Sequence, residues 1–371
     1  MASAIHTIDP RADTVIILRS PADEEYFAMW DDPELDNLKA LAELPLYLED
    51  ECGVESDMGD IEVHQSPADT STAPIPANAV PLIPEGSVLY YVSSHHLILA
   101  SHVFCAALVP QRWNEGHKKA DGRYYITADD WDEQAFFLLM NMLHARTNQV
   151  PESVSLEMLT KIGVLIDYYN CGNALEFFTT AWLRNLRKNG LRYEYSRKLI
   201  LWLWISYIFR EEDVFQRATR IAIAYCNESS LRTLGLPIPD SVSEAIEARR
   251  LELLQARISL LYDQLEAYEN GSRLCWKENR DNSFECNSLL AGSLSIDMRA
   301  KGLLRCPPEY PYHGFSVRKL NESPELHNPQ EIARWNMRQE FNTHHCDSLQ
   351  QFPDQYLDGL KLADFWRGTR G

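Results

Sequence analysis

The sequence predicts an α+β fold, in which a few short strands are followed by a series of amphipathic helices. Three runs rich in β-branched, aliphatic and aromatic residues, all before residue 130, have the length and composition of strands. After them, apolar residues recur near every 3.6 positions, which is the period of a helix with one buried face. Hydroxyl and acidic residues, the usual N-terminal caps, precede several of these helical stretches.

The first strand is predicted at Asp13–Arg19, where a run of Val, Ile and Leu is closed by Ser20-Pro21. Residues 1–20 therefore contain the opening strand of the domain. Residues 21–85 form an insertion, which is acidic at first and then rich in Pro, Ser, Thr and Ala. A loop of this length is uncommon inside a compact domain, so we expect it to be largely disordered.

The segment Tyr90–Leu108 is expected to complete a strand at Val88–Tyr91 and then to form two short helices that separate at Ala100-Ser101. Ser93 and Ser101 are hydroxyl residues suited to capping the two helix N-termini. The predicted buried positions are Leu97, Leu99, Val103, Phe104 and Leu108.

A third strand at Gly122–Ile126 is expected to lead into a helix that ends near Ala145 and is capped by Thr127 or Asp129. A pair of helices follows at Ser155–Tyr169 and Cys171–Leu186. Residues 86–188 therefore make up the remainder of the domain that begins with the first strand.

Further helices are expected beyond this domain. Residues 189–235 form a helical extension with helices at 196–209 and 211–226, and residues 236–270 form a long helix. Ser241 with Glu244 predicts a capping box at its start. Its apolar seam is short for a coiled coil, so docking onto its own domain is favoured over a dimer coil. The seam consists of Leu251, Leu254, Ile258, Leu261, Leu265 and Tyr268.

These motifs resemble the BTB/POZ family. Leu97 matches the leucine of the family's first helix, Ser101 and Phe104 match its Ser-x-x-Phe pair, and Asp13 stands in the place of the aspartate that opens the first strand. The sequences of four segments resemble those of fungal members of the family. These segments are residues 92–104, 130–132, 167–169 and 201–206. The resemblance covers residues 13–20 and 86–226, and the insertion departs from it. It implies a small β-sheet flanked by a cluster of α-helices, with a C-terminal helical extension.

The composition restricts the class of protein. Between Asp23 and Glu62 there are 15 acidic residues and one lysine, which leaves only −5 of the total charge of −19 for all other residues. Direct binding of nucleic acid is disfavoured, because that affinity comes from clustered Lys and Arg. The densest apolar run, Leu199–Phe209, has 11 residues, whereas about 20 cross a bilayer. With eight cysteines and no secretory signal, we expect an intracellular protein of cytoplasm or nucleus with reduced thiols.

Residues 271–371 are expected to form an irregular subdomain that contains several cysteines and histidines. The best candidate zinc ligands are Cys275, Cys286, His345 and Cys346, since zinc prefers thiolate and imidazole. No Cys-x-x-Cys pair supports this set, and the alternative of small buried thiols and surface histidines is favoured. Zinc therefore stays outside the predicted function, and no cofactor is expected.

The resemblance implies a non-catalytic protein–protein interaction module that acts as a scaffold or adaptor. By analogy alone, its partners belong to a cullin ubiquitin ligase or a transcription complex. We expect a protein partner, self-association that is at most weak and built from the core helices, and no direct contact with nucleic acid or membrane. The alternative is a zinc- or cysteine-dependent enzyme with its site in the C-terminal region.

Overall fold

The computed structural model describes residues 4–19, 79–109, 113–271, 280–304, 308–322 and 357–365. The chain divides into two compact units, Met1–Pro151 with Leu165–Phe177, and Glu152–Val164 with Phe178–Gly371. The first unit holds a four-stranded sheet, and helices occur in both units, so the predicted α+β class is confirmed. Of the insertion, 21–85, only residues 79–85 fall within the described part of the chain.

The sheet contains β1 (Ala4–Thr7), β2 (Thr14–Arg19), β3 (Val88–Val92) and β4 (Tyr124–Asp129) in the order β1-β3-β2-β4. β2 runs antiparallel to β3 and parallel to β4. Its first five residues are all buried, as a continuous apolar run in a central strand requires. The three strands predicted from the sequence are confirmed, although the last begins and ends later than expected.

The strand β1 was not expected. It pairs parallel with β3, and its side of the sheet is fixed by contacts with residues far along the chain. His6 Nε2 lies 2.9 Å from Glu133 Oε1. The guanidinium of Arg146 donates to the carbonyls of Thr7 and Ile8, each at 2.9 Å. Because these partners are long-range, four residues of weak strand pattern gave no local signal.

The two short helices after β3 are α1 (Ser94–Ala100) and α2 (His102–Ala107). Ser101 caps α2, since its Oγ accepts a hydrogen bond from Phe104 N at 3.1 Å, and this prediction is confirmed. Ser93 stands at the N-cap position of α1, but its hydroxyl makes no capping bond, so that prediction is wrong. A carboxylate from β2's start takes over the role, as described below.

The helix α3 (Glu133–Leu143) begins later than the sequence suggested. Its cap is Asp132, whose carboxylate accepts from Ala135 N at 2.8 Å. The predicted caps, Thr127 and Asp129, are wrong because both residues still belong to β4 and pair with β2. The extra length of β4 thus moves the helix start by a few residues.

The predicted helical pair is confirmed as α4 (Leu156–Tyr169) and α5 (Gly172–Leu186). The division between the two units falls within both helices, so their facing ends belong to the first unit and their outer ends to the second. In the second unit, Glu157 of α4 accepts two hydrogen bonds from the Arg197 guanidinium, at 2.5 and 2.8 Å.

The second unit continues with α6 (Arg197–Ile208), α7 (Glu212–Tyr225), α8 (Asp240–Glu269), α9 (Arg280–Ala300) and α10 (Val317–Asn321). The long helix α8 packs against α7, α9 and α10. Its predicted apolar seam is buried within the chain, as favoured over a dimer coil, but the helices that it contacts belong to the helical extension and the C-terminal residues. The capping box at Ser241 is wrong: the helix starts with Pro239 as cap, whose carbonyl accepts from Val242 N at 2.9 Å.

The helix α9 differs from the irregular structure expected for residues 271–371. Nine of its 21 residues are apolar, but they have no clear helical periodicity. Leu294 and Met298 are nevertheless fully buried, and α9 packs along α8. Its stability therefore comes from packing against a neighbour, which a single-sequence pattern does not reveal.

Ser101 makes a testable contribution to the first unit. Its buried Oγ caps α2 and also donates to the carbonyl of Tyr169 at 2.6 Å. We expect Ser101→Ala to lower the free energy of unfolding by about 2–3 kcal/mol, because a cap is lost and a buried carbonyl loses its donor. Ser155 is the matched control, since its Oγ only caps Met158 N at an exposed helix start. Ser155→Ala should cost about 1 kcal/mol or less in urea unfolding, and equal losses would contradict the double role.

Candidate protein-interaction surface

Helices α1 and α2 expose an apolar face that the sequence analysis placed in the core. Leu97, Phe104 and Leu108 are buried as predicted, but Leu99 is 89% exposed and Val103 is 37% exposed, so those two predictions are wrong. The two helices also expose His96, which stacks on His144. The other exposed residues are called the α1–α2 face, which consists of His95, Ile98, Leu99, His102 and Val103.

Helical geometry explains this error. The buried positions Leu97, Ser101, Phe104 and Leu108 follow spacings of 4, 3 and 4, which trace one side of the helical path. Leu99 lies off that line. The signal was therefore present in the sequence, but a seven-residue helix is too short for its period to be read with all apolar residues assigned to the core.

The start of α1 is fixed to the sheet by Asp13. Its carboxylate accepts from Ser94 N at 2.8 Å and from Ser94 Oγ at 2.6 Å. Although partial burial alone raises the pKa of Asp13, the hydrogen bonds donated by Ser94 and Thr14 lower it below its ordinary value of 3.8. The carboxylate thus stays ionised and acts as the anionic cap of this helix.

A second contact to the same helix start comes from His144, which follows α3. Ser93 N donates to His144 Nε2 at 3.0 Å, and His144 Nδ1 lies 2.8 Å from the carbonyl of Met140. The ring is buried and stacks on His96 of α1, with centroids 5.0 Å apart. Burial lowers the pKa of His144 below its ordinary value of 6.5, and the neighbouring His96 lowers it further.

The helix α2 is held from its inner side. Phe104 stacks on Tyr169 with ring centroids 4.5 Å apart and planes only 14° from parallel. The Tyr169 hydroxyl accepts from Trp131 Nε1 at 3.2 Å. Together with the Ser101 bond to the Tyr169 carbonyl, these contacts fix α2 on the C-terminal end of α4. These contacts hold α2 in place beneath the α1–α2 face.

The chemistry of the α1–α2 face suits contact with protein. Three aliphatic side chains are flanked by two imidazoles, which can donate or accept hydrogen bonds at the rim. Residues 94–107 contain no Lys or Arg, the residues that bind nucleic acid phosphates.

A recess beside β1 is a concave feature of the first unit. Its volume is about 270 Å³, and its lining residues include His6, Glu133 and Phe137. Sites for drug-sized ligands usually have about 300–1,000 Å³ and several convergent polar groups. The recess is smaller than that, and its His6–Glu133 pair already holds β1 in place, so we assign it a structural role.

The candidate zinc ligands are not brought together in the described part of the chain. Cys275, His345 and Cys346 lie outside the described residues, and Cys286 belongs to α9, but its side chain is not described. Among the described residues, no group of three or more His, Cys, Asp or Glu side chains could hold a metal ion. The zinc set therefore stays a prediction.

Three cysteines of the described residues, Cys105, Cys171 and Cys226, are free thiols. Burial raises the pKa of Cys171 to about 12 and also raises the pKa of Cys226. Both therefore stay protonated at neutral pH and lack the thiolate that nucleophilic catalysis needs. Neither supports the alternative of a cysteine-dependent enzyme, whose site was expected elsewhere, in the C-terminal region.

Searches against protein-family models, curated proteins and solved structures gave no match for this chain. Among the described residues, no helix combines the length and apolar character needed to span a membrane.

The role of Asp13 predicts an effect on acid stability. Because its pKa is lower in the folded chain, its contribution is fully present above about pH 4 and is lost as the pH falls through the folded-state pKa. We expect Asp13→Asn to lower the free energy of unfolding at neutral pH by about 1–3 kcal/mol and to flatten its decline below about pH 4. Urea unfolding between about pH 3 and pH 7 measures both effects.

Asp9→Asn is the control for this substitution. Its carboxylate accepts one exposed hydrogen bond, from Arg11 N at 2.8 Å, and does not cap α1. The same acid response in Asp13→Asn and Asp9→Asn would contradict the anionic cap.

The zinc hypothesis has a direct measurement. If Cys275, Cys286, His345 and Cys346 hold zinc, the purified protein should contain about one equivalent, and a chelator should increase proteolysis of residues 270–371 but not of the first unit. Metal-free protein in which these residues resist protease would exclude the site. Serine substitution of Cys346, with Cys105→Ser as the matched control, separates loss of metal from loss of any thiol.

Proposed function

We propose that this protein is a non-catalytic protein–protein interaction module of the BTB/POZ type, which acts as a scaffold or adaptor. The observation that carries the proposal is the exposed apolar α1–α2 face, above all Leu99 at 89% exposure. Covering exposed aliphatic side chains with a partner surface removes them from water and lowers the free energy. A binding surface is the function that this arrangement supports best.

The roles of the family-like residues support the BTB/POZ assignment. Asp13, in the place of the family aspartate, bonds to the first turn of α1. Leu97, in the place of the family leucine, is fully buried. Ser101 and Phe104 form the cap and the anchor of α2. Each residue that carries the resemblance thus has a specific structural task, as expected if the motif specifies this fold.

The order of elements gives further support. A strand, two short helices, another strand, the helix α3 and then a helical pair follow one another, an order compatible with the resemblance. The strand β1 and the length of chain between β2 and β3 are additions to that pattern. The similarity to fungal members, and a link to a cullin ligase or a transcription complex, stay predictions by analogy.

The size of the α1–α2 face indicates how strongly it binds. A stable interface usually buries about 800 Å² on each partner and involves about 20–30 residues a side. The five residues of this face cover only part of such an area. A second copy docked through this face alone would therefore associate weakly, and tight binding needs a partner that also covers neighbouring surface.

Substitution of Leu99 tests the proposal. We expect Leu99→Asp to weaken self-association at least about tenfold, since a buried leucine contributes about 1.5–3 kcal/mol and a buried charge adds a penalty. Sedimentation equilibrium of the full chain over a range of concentrations gives the dissociation constant. The same variants, used as bait, show whether captured proteins depend on this face.

Leu82→Asp is the matched control. Leu82 is 94% exposed but lies before β3, outside α1 and α2. It should leave self-association and the captured proteins unchanged. Equal behaviour of Leu99→Asp and Leu82→Asp would contradict the docking role, as would a wild-type protein that is monomeric throughout and whose captured proteins do not depend on Leu99.

A further inference from the structure

We infer that His144 is an acid-sensitive fastening of the α1 start, and that its protonation loosens the α1–α2 face. In its neutral form the imidazole accepts the Ser93 backbone hydrogen bond, and the imidazolium form cannot. The effect on the isolated protein stands on this geometry alone. Its consequence for docking rests on the proposed function.

The hydrogen bonds assign the state of the ring. Ser93 N can only donate, so His144 Nε2, 3.0 Å away, carries a lone pair and no proton. The carbonyl of Met140 can only accept, so His144 Nδ1, 2.8 Å away, carries the proton. Both nitrogens of this buried ring therefore have a partner in the neutral form, and only in one tautomer.

Protonation of His144 makes its hydrogen bond with Ser93 impossible. A proton on Nε2 points at the Ser93 N–H, and two donors then face each other. The Ser93 amide loses its acceptor in a place where Ser93 is only 7% exposed and water has little access. The ring must move or the start of α1 must move, and either change breaks the contact.

The charged groups around the His144 ring act on its protonation in opposite directions. His96 of α1 stacks on His144, so a positive charge on one imidazole ring repels a positive charge on the other. Asp9, in the turn after β1, favours the charged form of His144, but the burial of the ring has the larger effect on its pKa. Arg146 directs its guanidinium to the Thr7 and Ile8 carbonyls instead. Asp13 holds the adjacent Ser94 and stays ionised in the same pH range.

Two contacts at neighbouring residues thus differ in their response to acid. The Asp13 bonds to Ser94 persist at least down to pH 3.8, the ordinary pKa of an Asp carboxyl, whereas the His144 bond to Ser93 is lost once His144 takes up its proton. The helix stays attached but gains freedom at its first turn. Ile98 and Leu99 lie one turn further on, so a partner that docks on them meets a less ordered surface.

The test is made on the full chain without any partner. Nitrogen-15 spectra of selectively labelled protein follow the His144 ring, and hydrogen exchange follows the Ser93 amide, from about pH 7.5 down through the range in which His144 binds its proton. The protection of Ser93, corrected for the intrinsic pH dependence of exchange, should fall roughly tenfold. It should fall with the midpoint at which His144 binds its proton, below the ordinary value of 6.5.

Two variants separate this fastening from general acid weakening. In His144→Gln the protection of Ser93 should no longer depend on pH. In His96→Gln the His144 ring keeps its bond to Ser93. The midpoint of His144 protonation should rise, because the imidazole that repels its charge is gone. If His144→Gln fails to fold, the coincident midpoints in the wild type and their joint shift in His96→Gln still decide the matter. A Ser93 amide that ignores His144 protonation, or that responds equally in His144→Gln, would overturn the inference.

The docking consequence is read separately. Self-association, or binding of a captured partner that depends on Leu99, should weaken several-fold as His144 binds its proton in the wild type, and should not do so in His144→Gln. Binding that stays constant while the Ser93 amide responds would overturn the regulatory part. Absence of any Leu99-dependent binding at neutral pH contradicts the proposed function and leaves the fastening itself intact.

Discussion

The hydrogen bonds at the first turn of α1 join three segments that are far apart in the chain. Asp13 immediately precedes β2, Ser93 and Ser94 follow β3, and His144 follows α3. The bonded pairs are separated by 81 and 51 residues. A seven-residue helix is not stable by itself. The position of α1 on the sheet, and with it the exposure of Ile98 and Leu99, therefore depends in part on these few polar contacts.

The second unit uses buried cations for a similar purpose. Arg250 of α8 is almost fully buried and directs its guanidinium to the carbonyls of Pro311 and Phe315. Lys301, after α9, pairs with the buried Asp297 and donates to the carbonyls of Leu320 and Glu322. Residues 308–322 contain only one short helix. Four carbonyls of this segment thus accept hydrogen bonds from the cationic side chains of Arg250 and Lys301.

Sequence patterns predicted the elements whose stability is local or whose apolar run is long. The strand at Thr14–Arg19 and the seam of α8 are examples, because β-branched runs and heptad-like spacing are visible without any knowledge of neighbours. The strand β1 and the helix α9 were not predicted, since pairing with β3 and packing on α8 stabilise them. The predicted start of α3 was too early, because Thr127–Asp129 belong to β4 and pair with β2.

The candidate site was only partly predictable for the same reason. The importance of Asp13, Leu97, Ser101 and Phe104 could be predicted from the resemblance, but not which surface they support. The exposure of Leu99 depends on which side of α1 meets the sheet, and the Asp13 and His144 contacts decide that. His144 itself carries no motif, since its role arises from the meeting of a ring nitrogen with one backbone amide. A surface defined by polar contacts of high sequence separation becomes visible only when the chain is folded.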